Sequence, residues 1–180
     1  IATTSFQIGN GLEQQIEQYL SDFPKTKLVI IDTFQKVRDS KSTGGKSGMY
    51  AGDYDDVSAL KNISDKYGIA VMVVHHVRKL KDISDPFNEV SGSTGITGAA
   101  DTNFVLKRSR ANETGTMLAT GRDIAYQELT VKFDNRSHLW ELVERKDMED
   151  IHREEIPKFI FRLVDYISEV KEWQGTATQL

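Results

Sequence analysis

A single aspartate behind four apolar residues is the first candidate for chemistry. Residues 28–31 are Leu, Val, Ile and Ile, and Asp32 and Thr33 close the run. A carboxylate at the end of such a strand can hold a Mg²⁺ ion that bridges the phosphates of a nucleotide, often through water. Many parallel strands also end in an Asp that caps a helix or a turn, so the pattern alone leaves both roles open.

Two adjacent histidines are the second candidate, because His75 and His76 follow another apolar run at residues 69–74. Successive side chains of a strand point to opposite faces, so the two rings cannot readily ligate one metal ion. With four histidines and no cysteine in the chain, a zinc site is disfavoured. We expect one ring to face a cleft, where it can bond a γ-phosphate or its attacking water. A purely structural histidine is the alternative.

A polar segment after the histidines has the side chains that contact phosphates. It begins with Arg78, Lys79 and Lys81, and residues 91–101 then hold three glycines and four Ser or Thr residues. Glycines allow close approach of the backbone, and hydroxyl and N–H groups reach phosphate oxygens. The candidate contacts there are Ser91, Gly92, Ser93, Thr94 and Gly95. Three acidic residues offset the three basic ones, so an ordinary solvated loop remains the alternative.

Two further motifs are weaker candidates for a chemical role. Gly45-Lys46-Ser47 resembles the end of a P-loop, but the motif G-x-x-x-x-G-K-[ST] requires a glycine at position 40, which is Ser. The segment also does not lead directly into a helix in our prediction, which makes residues 40–48 a loop that serves as a lid or spacer. Arg122 lies at a predicted strand end, where it matters for catalysis only if the phosphates of a second subunit lie opposite.

The elements that position these residues alternate between strands and helices. Helical spacing predicts helices near residues 10–20 and 53–67 and a long one from about 154 to 170, and buried strands are expected at 28–31, 69–74 and 104–106. Alternating residues at 116–120, 128–133 and 138–143 predict an antiparallel meander. The fold class is therefore α/β, with a largely parallel sheet flanked by helices, a C-terminal antiparallel β-meander and a terminal helix. Ligands of such sheets bind beyond the carboxyl ends of the strands, where Asp32, His75 and His76 lie.

Composition excludes several classes of protein. The chain has 180 residues, a net charge of −4 and 38% hydrophobic residues, which suits one folded domain and is too apolar for a disordered chain. No apolar run approaches the roughly 18–20 residues that span a bilayer, so a membrane protein is excluded. The absence of cysteine excludes disulfide scaffolds and fits a reducing compartment, so we expect the cytoplasm. A pI near 5.6 argues against general coating of nucleic acid.

Taken together, the motifs resemble the RecA-like hexameric helicase superfamily, and within it the RepA-type replicative helicases of plasmids, phages and integrated elements. The resemblance covers roughly residues 5–145 and rests on the order and spacing of loose motifs. The segments that carry it are residues 28–33, 72–76, 91–108 and 117–123. Residues 172–180 look like the opening of an appended winged helix.

The resemblance implies a role for each candidate. Asp32 would organise Mg²⁺ and the attacking water beside ATP, with Thr33 next to it. His76 would sense the γ-phosphate, and His75 is the second choice. The loop at residues 82–98 would face a central channel and touch the backbone of single-stranded DNA, with Arg78, Lys79, Lys81 and residues 91–95 as the contacts. Arg122 would be an arginine finger that reaches the ATP of the neighbouring subunit in a hexameric ring.

The resemblance also implies a division of the chain. Residues 1–145 would be a partial ATPase core, 146–171 a C-terminal helix and 172–180 the truncated winged helix. The family's Walker A lysine precedes the strand that ends at Asp32, and this sequence has no such motif. We therefore expect a fragment of a larger ATP-dependent DNA helicase, with little ATPase activity of its own. A non-catalytic RecA-like module that binds DNA or a protein partner is the competing interpretation.

Overall fold

A computed structural model of the chain describes residues 1–38, 45–78, 85–90, 94–109, 111–170 and 174–176. Its elements, in chain order, are α1 (Leu12–Asp22), β1 (Leu28–Asp32), α2 (Phe34–Val37), α3 (Gly45–Tyr67), β2 (Ala70–Val74), a 3-10 helix (Pro86–Glu89), α4 (Thr94–Ala99), β3 (Thr102–Arg108), β4 (Thr114–Gly121), β5 (Gln127–Asp134), β6 (Leu139–Asp147), α5 (Met148–Glu155) and α6 (Lys158–Val170). The α/β class predicted from the sequence is confirmed.

The first part of the chain is built around one hydrophobic core. β1 and β2 pair in parallel, with Leu28 opposite Ala70 and Asp32 opposite Val74. Helices α1 and α3 contribute their apolar sides to the same cluster, which has Phe34 and Leu60 among its most buried members. The N-terminal segment is fixed to the end of α2, because Ile8 N–H donates to the Val37 carbonyl at 2.7 Å.

Among the residues that the structure describes, only one face of the parallel pair is covered, which corrects the prediction of buried strands. Val29, Val71 and Val73 pack against the core. The opposite face exposes Leu28, Ile30, Met72 and Val74. The apolar run therefore correctly predicted two parallel strands, but it could not show which of their faces this chain covers.

Four strands form a second, antiparallel sheet in the order β3-β4-β5-β6. The predicted meander is confirmed, but it includes the strand at 102–108, which we had assigned to the parallel sheet. Thr102 pairs with Gly121 and Arg108 with Gly115 in an antiparallel register. The short stretch between the two strands explains this, because a tight connection joins antiparallel neighbours, whereas parallel strands need a crossover of a dozen or more residues.

The predicted end of the loop at residue 48 and the predicted start of the next helix at residue 53 are both wrong. α3 begins at Gly45, so residues 45–48 are helical, and residues 40–44 of the predicted loop lie outside the described part of the chain. The interpretation that Gly45-Lys46-Ser47 does not enter a helix is therefore also wrong, although Ser40 still breaks the P-loop pattern. The C-terminal end of α3 is as predicted, because Gly68 follows Tyr67 with a left-handed φ of 59°.

Two helices stand where the sequence pattern predicts one terminal helix. α5 ends at Glu155, so Glu154 and Glu155 close a helix instead of opening one, and Pro157 separates it from α6. Pro interrupts the pattern because it has no N–H and clashes with the preceding turn. Of residues 172–180, the structure describes only 174–176. None of the helices in the described ranges has the length and hydropathy to cross a bilayer.

Candidate functional site

The parallel register places the strongest candidates at one edge of the sheet. Asp32 is the last residue of β1 and lies opposite Val74, the last residue of β2. Thr33 follows as the N-terminal flanking residue of α2, and His75 and His76 follow β2. The carboxylate, the hydroxyl and the two imidazoles therefore lie beyond the carboxyl ends of neighbouring strands, which is the usual binding edge of an α/β sheet.

Side-chain alternation separates the two histidines. His76 is exposed, like Asp32, and it follows Val74 by two residues, so continued alternation directs it to the open face. His75 is half-buried, and its ring meets the edge of the fully buried Phe34 with ring centres 5.6 Å apart. His76 is thus available to a ligand beside Asp32, whereas His75 belongs to the core side.

A charged network under the site was missed by the sequence analysis. The Arg38 guanidinium contacts Asp53 through Nη2, and its Nε donates to Asp56 Oδ2 at 2.9 Å. Asp53 is fully buried, and burial raises the pKa of Asp56 although Arg38 opposes that shift. The Arg38 guanidinium also lies 5.3 Å from the centre of the Phe34 ring. The network thus joins α3 to the turn after Asp32.

A signal for this network does exist in the sequence. Asp53 and Asp56 are three residues apart on one helix, so they share a face. Arg38 lies four residues after Phe34, which brings a cation and an aromatic ring to the same side of a short helix. Their partnership could not be inferred, because it depends on how α3 returns to pack on α2.

Arg122 lies on the antiparallel sheet and is engaged within its own chain. Its Nη1 is 3.3 Å from Asp101 Oδ1, and its backbone N–H donates to the Asp101 carbonyl at 2.9 Å. Lys61 Nζ contacts the other carboxylate oxygen of Asp101 at 2.8 Å, and this lysine is the main cause of the lowered pKa of Asp101. The guanidinium remains 61% exposed, so it keeps open donors for a second anion.

The segment proposed to contact DNA is only partly described. Arg78 is exposed, and its N–H donates to the Glu89 carbonyl at 2.6 Å, beside a bridge between Val77 and Val90. Lys79, Lys81, Ser91, Gly92 and Ser93 lie outside the described residues. Thr94 and Gly95 open α4, which corrects the prediction of a loop through residue 98. Thr94 is exposed, whereas Gly95 is buried and unsuited to direct contact with a ligand.

The oxygen donors at the sheet edge suit a magnesium ion that a nucleotide brings with it. Mg²⁺ keeps several waters and takes one or two carboxylates together with substrate phosphates. Asp32 offers one exposed carboxylate, and the Thr33 hydroxyl lies next to it in the chain. Within the described ranges, no group of three or more His, Asp or Glu side chains is arranged to hold a metal by itself.

Comparison with known families points in the same direction. The model of a family described as an AAA domain matches residues 7–82, which include α1, β1, α2, α3, β2 and both histidines. The match relates this segment, at a coarse level, to AAA-like ATPases and hence to P-loop nucleoside triphosphatases. No curated protein matches the chain. The site edge with Asp32 and His76 therefore lies inside the segment that resembles an ATPase core.

Proposed function

We propose that this chain forms part of the ATP site of a RecA-like DNA helicase. One observation carries the proposal: Asp32 ends β1 and the exposed His76 follows β2, so both lie at the carboxyl edge of a parallel strand pair. That pair lies within the segment that matches AAA domains. A carboxylate and an imidazole at this position are suited to a triphosphate with its metal ion.

The proposed division of labour follows the resemblance to RecA-like helicases. Asp32 would hold a nucleotide-bound Mg²⁺ with help from Thr33, and the chemistry that the ion would supply is neutralisation of charge on the phosphates. His76 donates to the γ-phosphate or orients the attacking water. Because His76 directly precedes the paired Val77 and Val90, a change at the phosphate can reach the segment that follows. His75 supports the site from the core side, through its ring contact with Phe34.

Arg122 is the proposed arginine finger for the ATP of an adjacent subunit in a hexameric ring. Such a finger raises turnover by about 10³–10⁵ in other nucleoside triphosphatases. Here the guanidinium rests on Asp101, which Lys61 also neutralises. The shared carboxylate makes the Arg122 contact easy to exchange for phosphate oxygens, because Lys61 can still satisfy Asp101.

The proposed function also includes contacts with DNA and a cellular context. We propose that Arg78, Lys79, Lys81 and residues 91–94 contact the backbone of single-stranded DNA, and that the protein serves the replication of a mobile element in the cytoplasm. The exposed Arg78 supports this role, since its backbone is fixed by Glu89 while its side chain remains exposed. Buried Gly95 would act only by letting α4 pack closely.

Nucleotide binding is the direct test. A fluorescent ATP analogue with Mg²⁺ is titrated into the chain and into Asp32→Asn, with Asp22→Asn as the matched control because Asp22 is an exposed aspartate at the end of α1. We expect weak, magnesium-dependent binding that Asp32→Asn weakens at least tenfold and Asp22→Asn leaves unchanged. We expect little hydrolysis, since the sequence contains no G-x-x-x-x-G-K-[ST] motif. Equal binding by all three proteins, or none up to millimolar nucleotide, would contradict the proposal for this chain.

The second candidate is a non-catalytic module that binds DNA or a protein partner. The open apolar face formed by Leu28, Ile30, Met72 and Val74 favours it, because contiguous exposed apolar residues mark interaction surfaces. Fluorescence anisotropy with labelled single-stranded DNA separates the candidates. DNA binding that ignores both Mg²⁺-ATP and the Asp32→Asn substitution would favour the module.

A further inference from the structure

The C-terminal helix α6 presents an apolar surface that its own chain does not cover. None of its residues is buried, and Phe159, Val164 and Ile167 are among its exposed apolar side chains. The four charged residues, Lys158, Arg162, Asp165 and Glu169, fall within an arc of about 60° on the other side of the helix. The rest of the helix surface is mostly apolar, and such a wide apolar arc is typical of a helix that packs against a broad surface.

The antiparallel sheet also has a face with exposed apolar side chains, like those of α6. The strand registers place Phe104, Leu106, Leu142 and Trp140 on one face, here called the open sheet face. All four side chains are exposed, with Leu142 at 61%. The face is roughly 20 Å along its strands and about 15 Å across them, and α6 is about 20 Å long, so the helix fits within its outline.

A capped helix and a proline lie between the antiparallel sheet and α6 in the chain. Asp147 caps α5 by accepting from the N–H groups of Glu149 and Asp150, and Asp150 returns a bond to the Asp147 N–H. Lys146 on β6 pairs with Glu154 at 2.7 Å, which ties α5 to the strand along its length. Pro157 then breaks the helix. Beyond this break, no residue of α6 is buried against the rest of its own chain.

We propose that α6 of one copy of this chain packs on the open sheet face of a second copy, and that the two copies exchange their helices reciprocally. The chain carries both halves of a helix-on-sheet layer, so a second copy supplies each half with its missing partner. Six exposed apolar side chains of α6 (Phe159, Phe161, Val164, Tyr166, Ile167 and Val170) would meet the four of the open sheet face. If each of these ten loses roughly 80 Å², two reciprocal contacts bury on the order of 1,600 Å², which is the size of a standard stable interface.

The interface uses no residue of the nucleotide site. It involves β3, β6 and α6, whereas Asp32 and His76 lie on the parallel pair. A failure of ATP binding therefore leaves the association intact, and a failure of association leaves the nucleotide proposal intact.

Sedimentation velocity over a range of concentrations is the first experiment, made on the full 180-residue chain. We expect a concentration-dependent dimer. Val164→Asp should raise its dissociation constant at least tenfold, whereas Asp165→Ser, on the charged side of the same helix, should change it less than threefold. Both positions are exposed, and far-UV circular dichroism checks that the variants are folded. A monomer at every concentration, or equal effects of the two substitutions, would overturn the proposal.

Site-directed cross-linking identifies the surfaces that meet, because the chain has no cysteine of its own. Two differently tagged single variants, Val164→Cys and Leu142→Cys, are mixed and treated with a short bismaleimide. We expect a cross-link between the two tags, and none when Asp165→Cys replaces Val164→Cys. Cross-links only between two Val164→Cys copies would mean that helices pair with helices. An intramolecular cross-link in the monomeric double variant would mean that α6 folds onto its own sheet. Either result would overturn the exchange.

Discussion

The two halves of this molecule hold their shape by different means. Up to Ala99, buried apolar side chains from helices and strands join into one cluster that contains Phe34 and Leu60. From Thr102 onward, the described buried apolar residues are Val105, Leu118, Ala119 and Val131. The second half is instead a sheet of four hydrogen-bonded strands, whose register shifts once, between Thr130 and Val131. The first half therefore relies on burial and the second on backbone pairing.

The difference shows what each half requires from its surroundings. A core encloses its own apolar surface, so the segment with Asp32 and His76 rests on a rigid base. A sheet with an uncovered face satisfies its hydrogen bonds but leaves apolar area in water. The second half thus gains stability when something covers it, whereas the first half already has a closed core beneath its one open apolar face of Leu28, Ile30, Met72 and Val74.

Truncation of one phenylalanine in each half gives the sharpest contrast. Phe34 is fully buried, whereas Phe104 is 55% exposed. We expect Phe34→Ala to lower the free energy of unfolding by about 4 kcal/mol, because a large cavity forms in the core. Phe104→Ala should cost about 1 kcal/mol or less in the monomer. Urea unfolding at low protein concentration measures both values, and similar losses would show that the two halves do not differ as described.

The charged network is expected to have the next largest effect. Arg38→Ala leaves Asp53 buried without this cation, and such a loss costs roughly 3 kcal/mol. The matched control is Lys66→Ala, which removes an exposed cation from its pair with Glu17 on the outside of the same core. We expect no measurable change there, since exposed ion pairs contribute little. If both alanine variants unfolded at the same urea concentration, the Arg38 network would not support the site.

The smallest expected effect is on the dependence of stability on pH. Lys61 and Arg122 lower the pKa of Asp101 below its ordinary value of 3.8. The stability that this carboxylate adds is therefore present above pH 3.8 and is lost as the pH falls through the lowered value. Urea midpoints of the wild type and Asp101→Asn should converge in acid, and NMR titration of the carboxyl carbon reports the pKa directly. A pKa above the ordinary value would contradict the assigned pairing.

Periodicity in the sequence predicted most of the elements, because burial imposes its repeat on the residues that cause it. Leu12, Ile16 and Leu20 recur at helical spacing, and all three are buried on one side of α1. The alternation around Val131 likewise predicted β5 and its antiparallel neighbours. At the site, the chain order of Asp32 and the two histidines sufficed to place them at one edge, since parallel strands end on the same side.

Features that depend on tertiary packing were not predictable in this way. Nothing in residues 28–31 distinguishes a strand covered on both faces from one with Leu28 and Ile30 exposed. The pairing of β3 with β4 was missed because a short apolar run carries no information about direction. Asp101 is one of many acidic residues in the sequence, and only the approach of Lys61 and Arg122 gives it a role.

The two paired chain positions after His76 also determine where residues can be inserted into this protein. Arg78 bonds to Glu89, and Val77 pairs with Val90, so the chain positions on either side of the intervening segment are held together. Glu89 is further fixed by Lys107 on β3 at 2.8 Å. Doubling the length of a closed loop costs only about 0.6 kcal/mol. A peptide tag or a reporter inserted between these ends should therefore leave both sheets in place, which makes this segment the natural entry point for engineering the protein.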